Sequence, residues 1–181
     1  MVRNVPYFSY PVNVISLTPT SYIVLGLING AGETTPYALK QMAAATIGNF
    51  FSIPHSQIYA EPERLAEAGL LSVRREESGR RRKHYSLTAR GRKALESWLE
   101  SPTEEMYELR DPALLKLALG SDAKALARAQ LPAHEERLKL FQGILAVLEA
   151  NNAPVEQRLV TESGIGHERE YVRFWKRVAE G

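Results

Sequence analysis

The chain has 181 residues, no cysteine and a net charge of +2, with 44% hydrophobic and 24% charged residues. That is enough apolar material to fold without cross-links, and the lack of cysteine excludes a disulfide framework, a thiolate zinc site and a cysteine nucleophile. The opening segment MVRNVPYFSYPVNVISL is broken by Pro6 and Pro11 and fits neither a signal peptide nor a spanning helix. The expectation is a cytoplasmic protein with no membrane partner and an N-terminal extension over residues 1–17.

Thr18-Pro19 pairs an N-cap residue with a first-turn proline and predicts a helix through TSYIVLGLI, closed by Asn29-Gly30-Ala31-Gly32. Thr35-Pro36 repeats the signal ahead of YALKQMAAATI, whose Leu39, Met42, Ala43 and Ile47 share one face. A third helix is expected from Ser56 to Ala68, with Ile58, Leu65 and Ala68 at helical intervals and Gly69 as its stop.

The period then changes to two. Leu71 and Val73 alternate with Ser72 and Arg74, and Tyr85 and Leu87 alternate with His84 and Ser86, with Ser78-Gly79 as the expected hairpin turn. Thr88 caps a further helix carrying an apolar stripe of Leu95, Trp98 and Leu99. Residues 18–101 therefore predict a winged helix-turn-helix in a mainly α chain with a small β-hairpin.

Charge singles out the hairpin. Residues 74–93 hold nine Lys or Arg against two Glu, a local charge of +7, so the rest of the chain is net negative. Positive charge gathered in one place attracts a polyanion, since each neutralised phosphate releases counterions. At a hairpin tip after three short helices, Arg80, Arg81, Arg82 and Lys83 are expected on phosphates of double-stranded DNA. His55, Ser56 and Gln57, at the start of the third helix, are placed for base edges.

The segments LTPTSYIVLGLI, Tyr37, SQIYxxxxRLxxAGLL and RRRKHYSLTARGRKALESWL together resemble the PadR family of transcriptional regulators over residues 17–100. The resemblance implies hydroxyls of Tyr37 and Tyr59 on phosphates, although Tyr59 could equally be a half-buried core residue, and it adds Arg64 of the RL pair to the DNA-contacting set. Tyr85 divides evenly between wing packing and contact. Trp98 reads by default as packing, but in similar regulators an aromatic on this helix stacks on planar ligands between subunits, which implies a small-molecule effector. One residue departs from the family pattern. Pro62 stands where a leucine-like residue is usual, and a helix-interior proline costs on the order of 3 kcal/mol, so the third helix either begins near Glu61 or is kinked.

Residues 102–181 carry no second basic cluster. Asp111-Pro112 opens a short helix, and Ser121-Asp122 opens a long helical stretch that Pro132 is expected to bend or divide. Pro154 starts another helix, which Gly164-Ile165-Gly166 is expected to separate from a last one. The stripes Leu138, Phe141, Leu145, Leu148 and Tyr171, Phe174, Trp175 are too apolar to stay exposed, and a second copy of the chain is the expected cover, making this a C-terminal helical dimerisation domain. DPALLKLALG and the long helical stretches after it also resemble the helical domain of virulence-activator-like regulators.

No catalytic residues are expected. The four histidines are isolated, no phosphate loop, GxSxG or GxGxxG occurs, and His134 with Glu135 and Glu136 reads as a solvated face rather than a metal site. No cofactor is implied. The favoured function is a homodimeric DNA-binding repressor on an inverted repeat, and the alternative is a winged-helix module whose basic wing meets an acidic protein surface.

Overall fold

The computed structural model describes residues 15–78 and 81–181. Elements run α1 (Pro19–Ala31), α2 (Pro36–Thr46), α3 (His55–Glu67), β1 (Leu71–Arg75), β2 (Lys83–Leu87), α4 (Ala89–Glu100), α5 (Pro112–Ala118), α6 (Ala123–Ala150) and α7 (Val155–Glu180). They form two compact units that divide between Glu104 and Glu105. The helix starts follow from capping chemistry. Thr18, Thr35 and Thr88 each accept a first-turn amide, as do the carboxylates of Asp111 and Asp122, which satisfies donors that have no partner within the helix.

In the first unit one core joins α1, α2, α3, the hairpin and α4 through Val24, Leu25, Ile28, Leu39, Ile58, Leu65, Leu71, Tyr85 and Leu95. The strands pair antiparallel in the register Leu71↔Leu87, Val73↔Tyr85 and Arg75↔Lys83, and Thr34 bridges to Tyr85 on the open side of β2. The hairpin turn expected at Ser78-Gly79 falls within the connection between the strands. That connection runs over residues 76–82, closed by the Glu76 amide donating to the Arg82 carbonyl at 3.0 Å; Gly79 itself lies outside the described residues, like the N-terminal extension up to residue 14. At the base of the wing, Gly91 admits no side chain, because a Cβ there would lie 2.1 Å from the Leu70 carbonyl oxygen.

The late start of α3, the division of α6 and the break in α7 do not occur. α3 runs unbroken from His55 through Pro62, so it does not begin late near Glu61; the proline is buried in its interior and leaves the Ile58 carbonyl without the usual amide. α6 is likewise one helix of 28 residues through Pro132, held by its long antiparallel partner α7. Gly164-Ile165-Gly166 does not end a helix, and α7 is continuous over 26 residues. Gly164 instead permits close approach: a Cβ would stand 3.3 Å from the Phe141 ring, and Ile165 beside it is buried.

In this second unit Ala113, Ala127 and Trp175 centre the core with Leu114, Leu117, Leu131, Tyr171, Phe174 and Val178 around them. Glu168 is buried too, accepting from His134 Nδ1 at 2.6 Å and Arg137 Nε at 3.0 Å across the α6–α7 contact. No helix among the described residues is long and apolar enough to cross a membrane.

Candidate nucleic-acid interface

The basic cluster separates into anchored and presented cations. Arg74 forks onto Glu33 at 2.8 and 2.5 Å, Arg90 donates to the Ala68 carbonyl and Arg92 to Asn29 Oδ1. Lys83 is paired with Glu63 at 2.5 Å. Arg75, Arg81, Arg82 and Lys93 are exposed, and their side chains make no hydrogen bond or ion pair among the described residues. Arg80 lies outside those residues. Sequence spacing shows how many charges the segment holds, but not that four of them hold the fold together.

The loop that presents Arg81 and Arg82 is closed by Glu76. Its carboxylate accepts from His84 Nε2 at 3.0 Å and from the Arg82 amide at 3.2 Å, and the His84 contact, with that amide second, holds Glu76 below the usual carboxylate range. Glu33, paired with Arg74 and 3.8 Å from His84 Nδ1, is lowered chiefly by the Arg74 bond. Arg81 has a φ of +48°, a left-handed conformation that turns the chain sharply at the tip.

On α3 the first turn is open. His55, Ser56, Gln57 and Tyr59 are exposed, and Tyr37, in the first turn of α2, is 63% exposed. Gln57 is less free than its exposure suggests, because its Oε1 accepts the Thr20 hydroxyl at 3.1 Å. Bidentate pairing with adenine needs that oxygen as acceptor and the side-chain amide nitrogen as donor.

Arg64, expected on DNA, is engaged within the chain. It donates through Nε and a terminal nitrogen to Glu61 at 2.9 and 2.6 Å, to Ser21 Oγ at 3.0 Å and to the Ser16 carbonyl at 3.2 Å. Ser21 in turn donates to Glu61 at 2.6 Å with both residues buried. This guanidinium fixes α3 to α1 and has no fork left for a phosphate. Glu61 and Ser21 were missed from sequence, although the Glu61/Arg64 spacing of three on a helix was a legible signal.

Lys83 is likewise engaged within the chain. The Glu63 carboxylate takes both Lys83 Nζ and the Tyr85 hydroxyl, the latter at 2.7 Å. The Lys83 bond first, then that of Tyr85, hold Glu63 below its usual range, and burial raises Tyr85 well above its own. Tyr85 is 2% exposed and belongs to the wing base. Trp98 is half-exposed and stacked on Tyr22 with ring centroids 4.4 Å apart and planes 7° from parallel.

Among the residues expected at a dimer contact, Trp175 and Phe141 are buried inside the chain's own helical unit, so they are not a surface for a second copy. Leu138, Leu145, Leu148, Tyr171 and Phe174 are half-buried. The exposed large apolar side chains of α6 are instead Leu140 and Val147, on an open face of that helix with Lys139, Gly143, Ile144 and Leu148.

Residues 24–97, spanning most of the first unit, match the family model described as the Transcriptional regulator PadR-like family. Over those residues the chain resembles this family. The family so described and the relatives below are transcriptional regulators. The Bacillus subtilis negative transcriptional regulator PadR is 28% identical over 171 residues, covering 87% of this chain and 93% of its own. Among solved structures, B. subtilis PadR in complex with operator DNA superposes with a TM-score of 0.79 at 26% identity, covering 92% of this chain and 99% of that one. The same regulator in complex with p-coumaric acid gives 0.73 at 26% identity, covering 91% and 97%.

Proposed function

We propose that this PadR-like regulator is a sequence-specific DNA-binding repressor that works as a homodimer on an inverted-repeat operator. The observation that carries the reading is the pairing of presented wing cations, Arg81 and Arg82, with an open first turn of the recognition helix at His55 and Ser56. Cations at a wing tip meet the phosphate backbone, and side chains at the start of a recognition helix meet base edges. The similarity to a regulator whose complex with operator DNA is known supports the DNA reading, and the name of the B. subtilis relative supports repression.

In this reading residues 18–101 bind DNA and residues 102–181 dimerise, setting two recognition helices about one DNA turn, roughly 34 Å, apart. Tyr37 and Tyr59 add hydroxyls to the backbone contact. A small planar ligand releases the operator by stacking at Trp98, whose ring is half-exposed and already paired with Tyr22; the p-coumaric acid complex of the B. subtilis regulator supports a ligand of that shape.

Salt titration of the full chain against a random duplex and against a duplex enriched by repeated selection tests the central step. The expected specificity ratio is at least about 10³, with a steep salt slope. Equal affinity for both duplexes would remove sequence-specific recognition and leave the basic wing to an acidic protein surface.

A further inference from the structure

We propose that Glu63 is a specificity-determining residue, which withholds the Lys83 charge from DNA phosphates and fastens the wing to the recognition helix. The inference rests on the DNA-binding reading above and adds a role for an acidic residue inside the basic surface.

The geometry comes from the strand register. Leu71↔Leu87 and Val73↔Tyr85 form successive rungs that share a face of the hairpin with Arg75↔Lys83, the outermost rung. Leu71 and Tyr85 on that face belong to the core. The rung beyond them is therefore two cations set at the edge of α3, and the α3 residue that meets them is Glu63. It takes Lys83 Nζ at 2.5 Å and the buried Tyr85 hydroxyl at 2.7 Å with the same oxygen, Oε2. The Lys83 and Glu63 side chains stay 33% and 42% exposed, so the ammonium lies within reach of a bound polyanion once its partner is removed.

Two effects follow, and they act in the same direction on specificity. A lysine on phosphate strengthens binding to every sequence alike and steepens the salt dependence by about one unit. Neutralising it lowers the sequence-independent affinity and leaves base contacts untouched. The second effect is positional. α3 lacks one internal hydrogen bond at Pro62, and the carboxylates flanking that proline grip it from opposite sides, Glu61 through Ser21 of α1 and Glu63 through Lys83 and Tyr85 of β2. The setting of the helix relative to the wing thus runs through Glu63.

The test uses the full chain and three variants: Glu63→Gln, which keeps an acceptor for Tyr85 but no charge, Lys83→Met, and the double variant. Each is titrated with salt against a random duplex and against a duplex selected with the wild-type protein. Glu63→Gln is expected to bind the random duplex several-fold more tightly, with a slope steeper by about one unit per protomer, and to show a smaller specificity ratio. Lys83→Met alone should leave the slope where it is, and the double variant should return it to the wild-type value. A loss of packing alone would weaken binding to both duplexes and would not steepen the slope. An unmoved slope in folded Glu63→Gln overturns the inference, and so does a Lys83→Met variant that loses a unit of slope, a result readable even if Glu63→Gln does not fold. Failure of the wild-type chain to bind either duplex would sink the DNA reading itself, which separates the two outcomes.

Discussion

Ser21 of α1 donates its hydroxyl to Glu61 of α3 at 2.6 Å, and the two residues are buried together beneath the Arg64 guanidinium. The contact joins α1 to the proposed recognition helix, through a carboxylate beside the proline that weakens that helix. Arg64→Ala leaves the Glu61 carboxylate with one donor in place of a fork. An under-satisfied buried acceptor costs on the order of 1–3 kcal/mol, so urea unfolding should show a loss in that range. A stability within a few tenths of wild type would make the network ornamental.

Gly91 tests the wing base. With a Cβ forced to 2.1 Å from the Leu70 carbonyl oxygen, Gly91→Ala requires the α4 start to move from the β1 start. Overpacking of this kind costs about 1–3 kcal/mol or more, and thermal unfolding should register it. Gly120→Ala makes the opposite comparison. Nothing lies within 4 Å of a Cβ there, but the φ of +90° strains it, so its cost is conformational and leaves DNA affinity unchanged, whereas Gly91→Ala lowers affinity by displacing the wing.

The wing tip gives a second affinity experiment. Arg81→Ala with Arg82→Ala should weaken binding to all sequences and lower the salt slope by about two units per protomer, since both cations are exposed and unpaired among the described residues. Arg74→Ala should leave the slope unchanged, because that guanidinium is committed to Glu33. Equal slopes for the two variants would contradict the division into presented and anchored cations.

Range in the chain decides which features were legible in the sequence. Caps at Thr18, Thr35, Thr88, Asp111 and Asp122 are local chemistry and are read correctly, whereas the expected alternation buries Leu71 and Tyr85 but leaves Val73 exposed. The roles of Arg64 and Lys83 depend on Glu61, Ser21 and Glu63, partners that only the packing of α3 against α1 and β2 brings near. Breaker residues mislead for the same reason. Pro132 and Gly164 argue locally for helix ends, yet two long helices packed side by side more than offset one lost hydrogen bond, and Gly164 is where the Phe141 ring comes closest. Periodicity likewise identifies apolar stripes on α6 and α7, but it cannot tell the face each turns to the other from the face left outside.

Tyr171 supplies a pH dependence. Burial, and after it the neighbouring Asp111 carboxylate, raise its hydroxyl from 10.0 to about 12. A folded pKa above the unfolded one means a stabilising contribution fully present below about pH 10 that is lost as pH climbs towards 12. Unfolding midpoints of wild type should therefore fall over that interval, and Tyr171→Phe should flatten the fall. Tyr85 is raised in the same direction, so some alkaline loss persists in the variant. Parallel curves for the two proteins would show that Tyr171 ionises no later folded than unfolded.

The assembly prediction depends on which face of α6 is left uncovered. Phe141 faces α7, while Leu140 and Val147 are 54% and 60% exposed on an open face of α6 with Ile144 and Leu148. Covering each such side chain is worth roughly 1.5–3 kcal/mol, and a two-fold contact doubles every gain because each residue is used twice. A charge placed there should separate the protomers without unfolding either. Leu140→Glu or Val147→Glu is expected to sediment as a monomer with helical circular dichroism unchanged, and to lose most of its operator affinity because one half-site then binds alone. Trp175→Ala, by contrast, empties the chain's own core, should cost about 3–5 kcal/mol, and should fail by unfolding rather than by clean dissociation. If both Glu variants sediment as dimers, this exposed face of α6 is not the dimer contact and the helices must meet through another face.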